Sequence, residues 1–292
     1  MSVRLGIDLG GTKIEAIALD RSGAARFRQR VPTPQGNYDA TVRAVADLIR
    51  AADAATSAQG TVGVGIPGTL SPATGLVKNA NSTCLIGRPL DKDLAAAVGR
   101  PVRLANDADC FALSEAADGA AAGARIVFGI ILGTGVGGGL VIDRTVVSGP
   151  NAITGEWGHN PLPWSTPAER PGPRCYCGLD GCIETFLCGP GLARDHGGGL
   201  GADDIAASSD PAAVAALDRY VDRLARAPAH VINIIDPHVI VLGGGLSKVA
   251  RLYDDVPRAW PAHVFSDAVA TRLVPPRHGD SSGVRGAAWL WP

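Results

Sequence analysis

The chain has 292 residues, 46% hydrophobic, 19% charged and 5% aromatic, with 38 glycines and 21 prolines. That apolar content excludes a disordered chain, and glycines without a three-residue period exclude collagen. Lys plus Arg is 27 against 28 Asp plus Glu, a balance that does not suit a phosphate-backbone partner, so no nucleic acid is expected.

The length accommodates two domains, or one large one. Met1-Ser2-Val3-Arg4 reaches Asp8 without a targeting pattern, and the longest apolar stretches are strand-sized, so a cytoplasmic protein with no membrane partner is expected. Val3 to Asp8 predicts a buried strand feeding a turn at Gly10-Gly11, and Ile14 to Leu19 a second strand completing a hairpin. Asp39 to Ala52 places Val42, Val45, Leu48 and Ile49 on one helical face. Thr61 to Ile66 is a strand stopped by Pro67-Gly68. Val102 to Ala105 is another, broken at Asn106-Asp107 and followed by an Ala-rich helix to about Ala122.

The pattern then restarts. Ile126 to Leu132 reads as a strand, Gly133 to Gly139 as a glycine loop and Leu140 to Ile142 as a returning strand. A helix from about Pro211 to Ile235 leads to strand Val239–Leu242 and a third glycine turn, Gly243-Gly244-Gly245. Alternating strands and helices predict α/β architecture. Two similar halves suggest a duplicated fold around a cleft, with a boundary near Asp118 to Gly123.

Three glycine segments follow strands: Asp8-Leu9-Gly10-Gly11-Thr12-Lys13, Gly133-Thr134-Gly135-Val136-Gly137-Gly138-Gly139, and Gly243-Gly244-Gly245. Backbone N–H groups exposed by glycine suit phosphate oxygens, although any one segment alone also reads as an ordinary turn. Gly133-x-Gly135-x-x-Gly138 matches the dinucleotide fingerprint in form, but that motif must open a helix and here a strand follows. A P-loop needs Gly-Lys, which the chain lacks. What remains is a hairpin type, strand–glycine turn–strand.

Cys175, Cys177 and Cys182 are spaced C-x-C-x4-C, with His159 sixteen residues before the first. Three thiolates and an imidazole make a closed tetrahedral zinc set; free or redox cysteines are the alternative. Cys84, Cys110 and Cys188 stand alone and are given no function. Asn106-Asp107 sits where a strand ends, the usual place for ligand-facing residues in α/β sheets, and equally a place for a helix cap.

Asp8 to Lys13 resembles the first phosphate loop of the sugar-kinase, actin and heat-shock ATPase superfamily. Gly155-Glu156-x-Gly158-His159 followed by C-x-C-G-x-x-G-C-x-E, with Gly133-Thr134-Gly135 and Gly243-Gly244-Gly245, resembles the ROK (repressor, open reading frame, kinase) family, over Gly6 to Trp291. The resemblance implies an actin-like ATPase (ribonuclease H-like) duplicated α/β fold, two domains around a cleft. The small N-terminal domain would be residues 1–118 joined by a C-terminal helix at about 282–292. The large domain would be 119–281, with a zinc-binding insertion at about 155–190.

It further implies Mg²⁺ with ATP, Asp8 as the Mg²⁺ contact, and Gly10, Gly11, Thr12, Lys13, Gly133, Thr134, Gly135, Gly243, Gly244 and Gly245 on the nucleotide. Structural Zn²⁺ would be held by His159, Cys175, Cys177 and Cys182. The sugar would meet Gly68, Asn81, Asn106, Glu156, His159 and Glu184, with Asp107 as catalytic base. A homodimer is the family's common state.

Glu156 to Trp164, Lys78 to Ser82 and Gly279 to Trp289 resemble the bacterial fructokinase (manno-fructokinase) subgroup. Phosphorylation of fructose at its 6-hydroxyl is therefore the expectation, with mannose or glucose as side substrates. Glucokinase and N-acetylhexosamine kinase are the alternatives. A ROK-type repressor is disfavoured because the phosphate loop starts at Asp8, leaving no room for a DNA-binding domain before it, and an inactive sugar sensor because Asp8, Asp107 and the glycine loops are intact.

Overall fold

The computed structural model describes residues 3–291; Met1, Ser2 and Pro292, included in the expected N-terminal domain, lie outside the described residues. Strand β1 (Arg4–Leu9) turns at Gly10–Thr12 into β2 (Lys13–Leu19), both buried along nearly their whole length. β3 (Ala25–Pro32) was not expected, because its exposed, arginine-rich sequence lacks an apolar run; it pairs antiparallel with β2 at the sheet edge. Helix α1 (Tyr38–Thr56) starts where the Asn37 side chain accepts the Ala40 N–H and ends at left-handed Ser57.

β4 (Thr61–Ile66) pairs parallel with β1. A small antiparallel hairpin, β5 (Thr69–Leu70) and β6 (Val77–Lys78), precedes α2 (Leu90–Val98), β7 (Val102–Asn106) and α3 (Asp107–Ala117). The first sheet has the order β3-β2-β1-β4-β7. The apolar stripe of α1 (Val45, Leu48, Ile49) is buried with Leu5, Ile7, Val62 and Val64 of that sheet. α3 stops short of the expected Ala122. The Glu115 carboxylate accepts the Ala120 N–H at 2.8 Å and the Glu115 carbonyl accepts that of Ala121 at 2.9 Å, folding the chain back.

β8 (Ile126–Leu132), β9 (Val136–Ile142) and β10 (Thr145–Val146) open the second half. The glycine loop expected over Gly133–Gly139 is really a turn of residues 133–135, since β9 already begins at Val136. Gly139 serves close packing inside that strand: a Cβ there would sit 2.5 Å from the Ala108 carbonyl oxygen. Then come α4 (Ile183–Leu187), α5 (Gly189–His196), α6 (Ala202–Ala207), α7 (Pro211–Ile235), β11 (Val239–Gly243), α8 (Leu252–Ala259), β12 (Arg272–Val274) and α9 (Ser282–Ala288). The second sheet, β10-β9-β8-β11-β12, repeats the order of the first, with β8/β11 and β11/β12 parallel as β1/β4 and β4/β7 are. This is a duplicated α/β fold.

The chain divides into two compact units: Met1–Gly123 with Gly139–Thr154 and Asp280–Pro292, and Ala124–Gly138 with Gly155–Gly279. Where the expectation placed all of 119–281 in the large domain, residues 139–154 group with the first unit. That stretch is tied there by Gly139 on α3 and by the Lys78 ammonium donating to the Asn151 carbonyl at 2.7 Å. α9 closes one face of the first sheet. Gly6 and Gly63 permit this approach, because a Cβ on either would run into the carbonyl oxygens of Val284 and Ala287. Among the described residues no helix is long and apolar enough to cross a membrane.

Candidate active site and metal centre

In the first unit, the phosphate-type hairpin turns all its carbonyls toward the protein. Gly10 O accepts from Thr33 Oγ1 at 2.7 Å, Gly11 O from Gln35 Nε2 at 3.3 Å, Thr12 O from Thr33 N and Lys13 O from Gly10 N, both at 3.0 Å. In a trans peptide the following N–H points opposite to the carbonyl. The N–H groups of Gly11 and Thr12 are therefore aimed away from this scaffold, as an anion cradle requires. Lys13 itself is exposed at the head of β2.

Asp8 is the penultimate residue of β1, directly opposite Glu15 in register. Burial, with the nearby charges of Asp107 and Glu15, raises its pKa from 3.8 to about 6, Lys13 and Arg30 acting in the other direction. Glu15 is buried and answered by Arg28 Nε at 2.5 Å and Arg30 Nε at 2.7 Å. A carboxylate crowded by two others is relieved by a dication, so Asp8 fits the Mg²⁺ contact.

At the carboxyl end of β7, Asn106 is the N-cap of α3, its Oδ1 accepting the Ala108 N–H at 2.9 Å. The cap is thus Asn106, leaving Asp107 as the first helical residue, exposed, with Oδ1 at 2.8 Å from the same N–H. Asn106 Nδ2 donates to the Gly68 carbonyl at 3.3 Å, joining two of the expected sugar residues. Gly68 has φ +104° and backs onto Lys78 and Ala80; Asn81 is exposed just beyond.

In the second unit, the turn Gly133–Thr134–Gly135 is closed by Gly133 N–H on Gly135 O at 3.0 Å. Glu184, first-turn residue of α4, accepts the Val136 N–H on Oε2 at 3.0 Å. Beside it lies the third turn. Gly244, at φ +81°, has no room for a side chain against Leu132, whereas Gly245 has nothing within 4 Å of where a Cβ would stand.

Gly155–His159 is held on β9: the Trp157 indole N–H donates to Gly137 O at 3.1 Å and its ring meets Phe128 edge-on at 5.9 Å. This fixes His159 at the end of a single 3₁₀ turn, facing the cysteines. The ligand atoms of His159, Cys175, Cys177 and Cys182 all lie within 4.8 Å of one another. Cys175 Sγ is 3.6 Å from His159 Nδ1, and Cys177 Sγ is 3.6 Å from Cys182 Sγ. Tetrahedral zinc with Zn–S ~2.3 Å and Zn–N ~2.0–2.1 Å sets such edges at roughly 3.6–3.8 Å. A disulfide needs ~2.0 Å, and all six cysteines are free. The Leu179 N–H holds the Cys177 thiol below its usual pKa, while burial and the neighbouring thiols push Cys182 up to about 12.

Both ring nitrogens of His159 are engaged, since Nε2 lies 2.9 Å from the Tyr176 hydroxyl. The expected sugar role of His159 thus requires a hydroxyl to replace Tyr176. Sequence reasoning missed Tyr176, whose only signal is its place between two cysteines. Its phenol is pushed up to about 12 by desolvation and then by the Glu184 and Glu156 charges. Also missed was the buried network behind the metal segment: Glu169 receives Arg223 Nε and Arg226 Nη2, each at 2.8 Å, from α7.

The ROK family model matches residues 4–292. The chain belongs to the ROK family. An N-acetyl-D-glucosamine kinase of Yersinia pseudotuberculosis serotype O:1b (strain IP 31758) is 42% identical to this ROK chain over 296 residues, covering 98% of it and 97% of the relative. The crystal structure of a ROK hexokinase from Thermus thermophilus matches it with a TM-score of 0.86 at 30% identity, over 99% of this chain and 97% of that one. A ROK family glucokinase from Streptomyces griseus, solved in complex with glucose and AMPPNP, matches with a TM-score of 0.79 at 26% identity, over 99% of both chains.

Proposed function

We propose that this ROK-family sugar kinase transfers the γ-phosphoryl group of ATP to the 6-hydroxyl of N-acetyl-D-glucosamine. The observation that carries the choice of sugar is the 42% identity to N-acetyl-D-glucosamine kinases across 98% of the chain. The expectation of fructose drew on three short segments; a likeness running the full length outweighs them, and the N-acetylhexosamine alternative becomes the main reading.

In this reading Asp107 accepts the proton of the 6-hydroxyl as that oxygen bonds to the γ-phosphorus. The bond to the β,γ-bridging oxygen breaks, and its electron pair leaves with ADP. General-base help of this kind contributes ~10²–10⁴-fold. The outward N–H groups of Gly11 and Thr12 and the exposed Lys13, with Gly10, Gly133–Gly135 and Gly243–Gly245, are assigned to the nucleotide phosphates. Gly68, Asn81, Asn106, Glu156, His159 and Glu184 are assigned to the sugar. Asp8 would hold Mg²⁺, which when bound neutralises the phosphate charge. Zn²⁺ on His159, Cys175, Cys177 and Cys182 would have no open position and hence a structural role.

ADP release with Mg-ATP, measured across N-acetylglucosamine, N-acetylmannosamine, fructose, glucose and mannose, tests this. N-Acetylglucosamine should give the highest kcat/KM by at least ~10-fold, with phosphorus NMR placing the phosphate on O6. A preference for fructose restores the first expectation, and no release with any hexose overturns the kinase reading.

A further inference from the structure

A cavity of about 380 Å³ lies in the first unit at the carboxyl ends of β4 and β7, and nothing above gives it a role. Ile66, Leu70, Leu104, Ala105 and Ala152 supply its apolar wall. Thr69, Ser71 and Ser148 add hydroxyls, and no charged side chain lines it. Such a lining offers an anion no counter-charge, whereas its apolar wall and hydroxyls suit a small neutral group with one amide to satisfy.

Its position ties it to the sugar residues. Ala105 immediately precedes Asn106 and Asp107, Thr69 immediately follows Gly68, and the Asn106 amide bridges to the Gly68 carbonyl at 3.3 Å. The far wall is braced: Lys78 Nζ donates to Asn151 O at 2.7 Å, and the Ala152 N–H donates to Gly149 O at 3.0 Å. An unsubstituted hexose has only a hydroxyl to offer such a space. An N-acyl-hexosamine has an amide and an apolar tail.

We infer that this cavity receives the N-acyl substituent of the sugar and that its size admits acyl chains longer than acetyl. The inference rests on the N-acetyl-D-glucosamine reading. A water takes up about 30 Å³ of liquid, so the 380 Å³ space corresponds to roughly thirteen waters, several times what an acetyl group fills. Each further methylene seated against the apolar wall gains up to about fourfold in kcat/KM.

The experiment compares N-acetyl-, N-propanoyl- and N-butanoyl-D-glucosamine as substrates of the wild-type chain and of two variants that fill the cavity from different sides, Ser148→Trp at its exposed rim and Leu70→Trp. Wild type should use the N-butanoyl sugar at least as well as the N-acetyl sugar. In each folded variant the butanoyl-to-acetyl ratio of kcat/KM should fall at least ~10-fold. Ser148 is exposed, so its variant remains informative if Leu70→Trp does not fold. Wild-type discrimination of more than ~10-fold against the longer chain, or an unaltered ratio in the variants, overturns the inference while N-acetylglucosamine turnover stands. Absence of N-acetylglucosamine turnover in the wild type defeats the substrate reading and this use of the cavity with it.

Discussion

One oxygen of the Glu184 carboxylate accepts the Val136 N–H at 3.0 Å while the other lies 4.0 Å from the sulfur of Cys175. A single side chain therefore spans the distance from the second glycine turn to the thiol cluster. Removing it leaves a strand-end N–H unpaired, which costs ~1–3 kcal/mol. Glu184→Ala should raise the KM for ATP about tenfold and weaken sugar binding too, whereas Glu184→Gln, which keeps an acceptor oxygen, should affect the sugar more than ATP. Two-substrate kinetics separate the effects; a KM for ATP unmoved in the alanine variant defeats the link.

Asp107→Asn removes the proton acceptor without removing volume. Asn106, not Asp107, is the side-chain cap of α3, so the helix keeps its start. Turnover should drop ~10²–10⁴-fold with little change in sugar KM or melting temperature. Near-normal kcat refutes the assignment of Asp107 as the base.

The third glycine turn separates a fold requirement from a ligand requirement. Gly244→Ala meets the Leu132 backbone and a φ of +81°, so it should destabilise the protein. Gly245→Ala meets nothing within 4 Å, so melting should be unchanged while the KM for ATP rises ~10-fold if, as proposed, the nucleotide takes that space. An alanine at 245 that leaves ATP affinity intact removes this turn from the phosphate site.

Metal analysis should find one zinc per chain. Chelation should lower the melting temperature by at least ~5 °C and activity with it, since closed Cys₃His sites add folding free energy directly. Cys177→Ser should reproduce both losses. Unchanged activity in demonstrably zinc-free protein would sink the assignment.

Acid should unpin the segment that leads into the thiol cluster. Burial works to raise the pKa of Glu169, but hydrogen bonds from Arg226 and Arg223 more than reverse this, and the group falls from its ordinary 4.5 to about 2. In the unfolded chain it takes up its proton first, so its contribution, ~3 kcal/mol, is complete above about pH 5 and drains away as pH falls toward 2. The stability gap between wild type and Glu169→Gln, followed by denaturant melts from pH 7 to 3, should shrink by more than half. A gap independent of pH contradicts the network.

The glycine turns and the His–Cys cluster were legible because glycines after apolar strands and closely spaced thiols are local patterns. Strand β4 and helix α7 fall where the apolar periodicity put them. β3 escaped notice because an edge strand carrying Arg26, Arg28 and Arg30 needs no apolar run, its backbone being paired by β2. The Glu169–Arg223–Arg226 cluster joins residues more than fifty positions apart, and no local pattern records such a pairing. Tyr176 and the cavity behind Ala105 are likewise products of packing. Nor were the glycines all for ligand: Gly6 and Gly63 serve α9.

The seat of α9 has a consequence in time. The first unit is not finished until Asp280–Pro292 is made, whereas all of the second unit lies before that stretch. Synthesis at ~5–20 residues per second takes about 15–60 s for a chain this long. From the completion of β4 at Ile66 until α9 is made, most of that interval, the face of β1 and β4 marked by Gly6 and Gly63 lacks its covering helix. The half of the molecule that leaves the ribosome first is thus the half completed last, and a nascent chain exposes that glycine-marked sheet to chaperones until its final helix emerges.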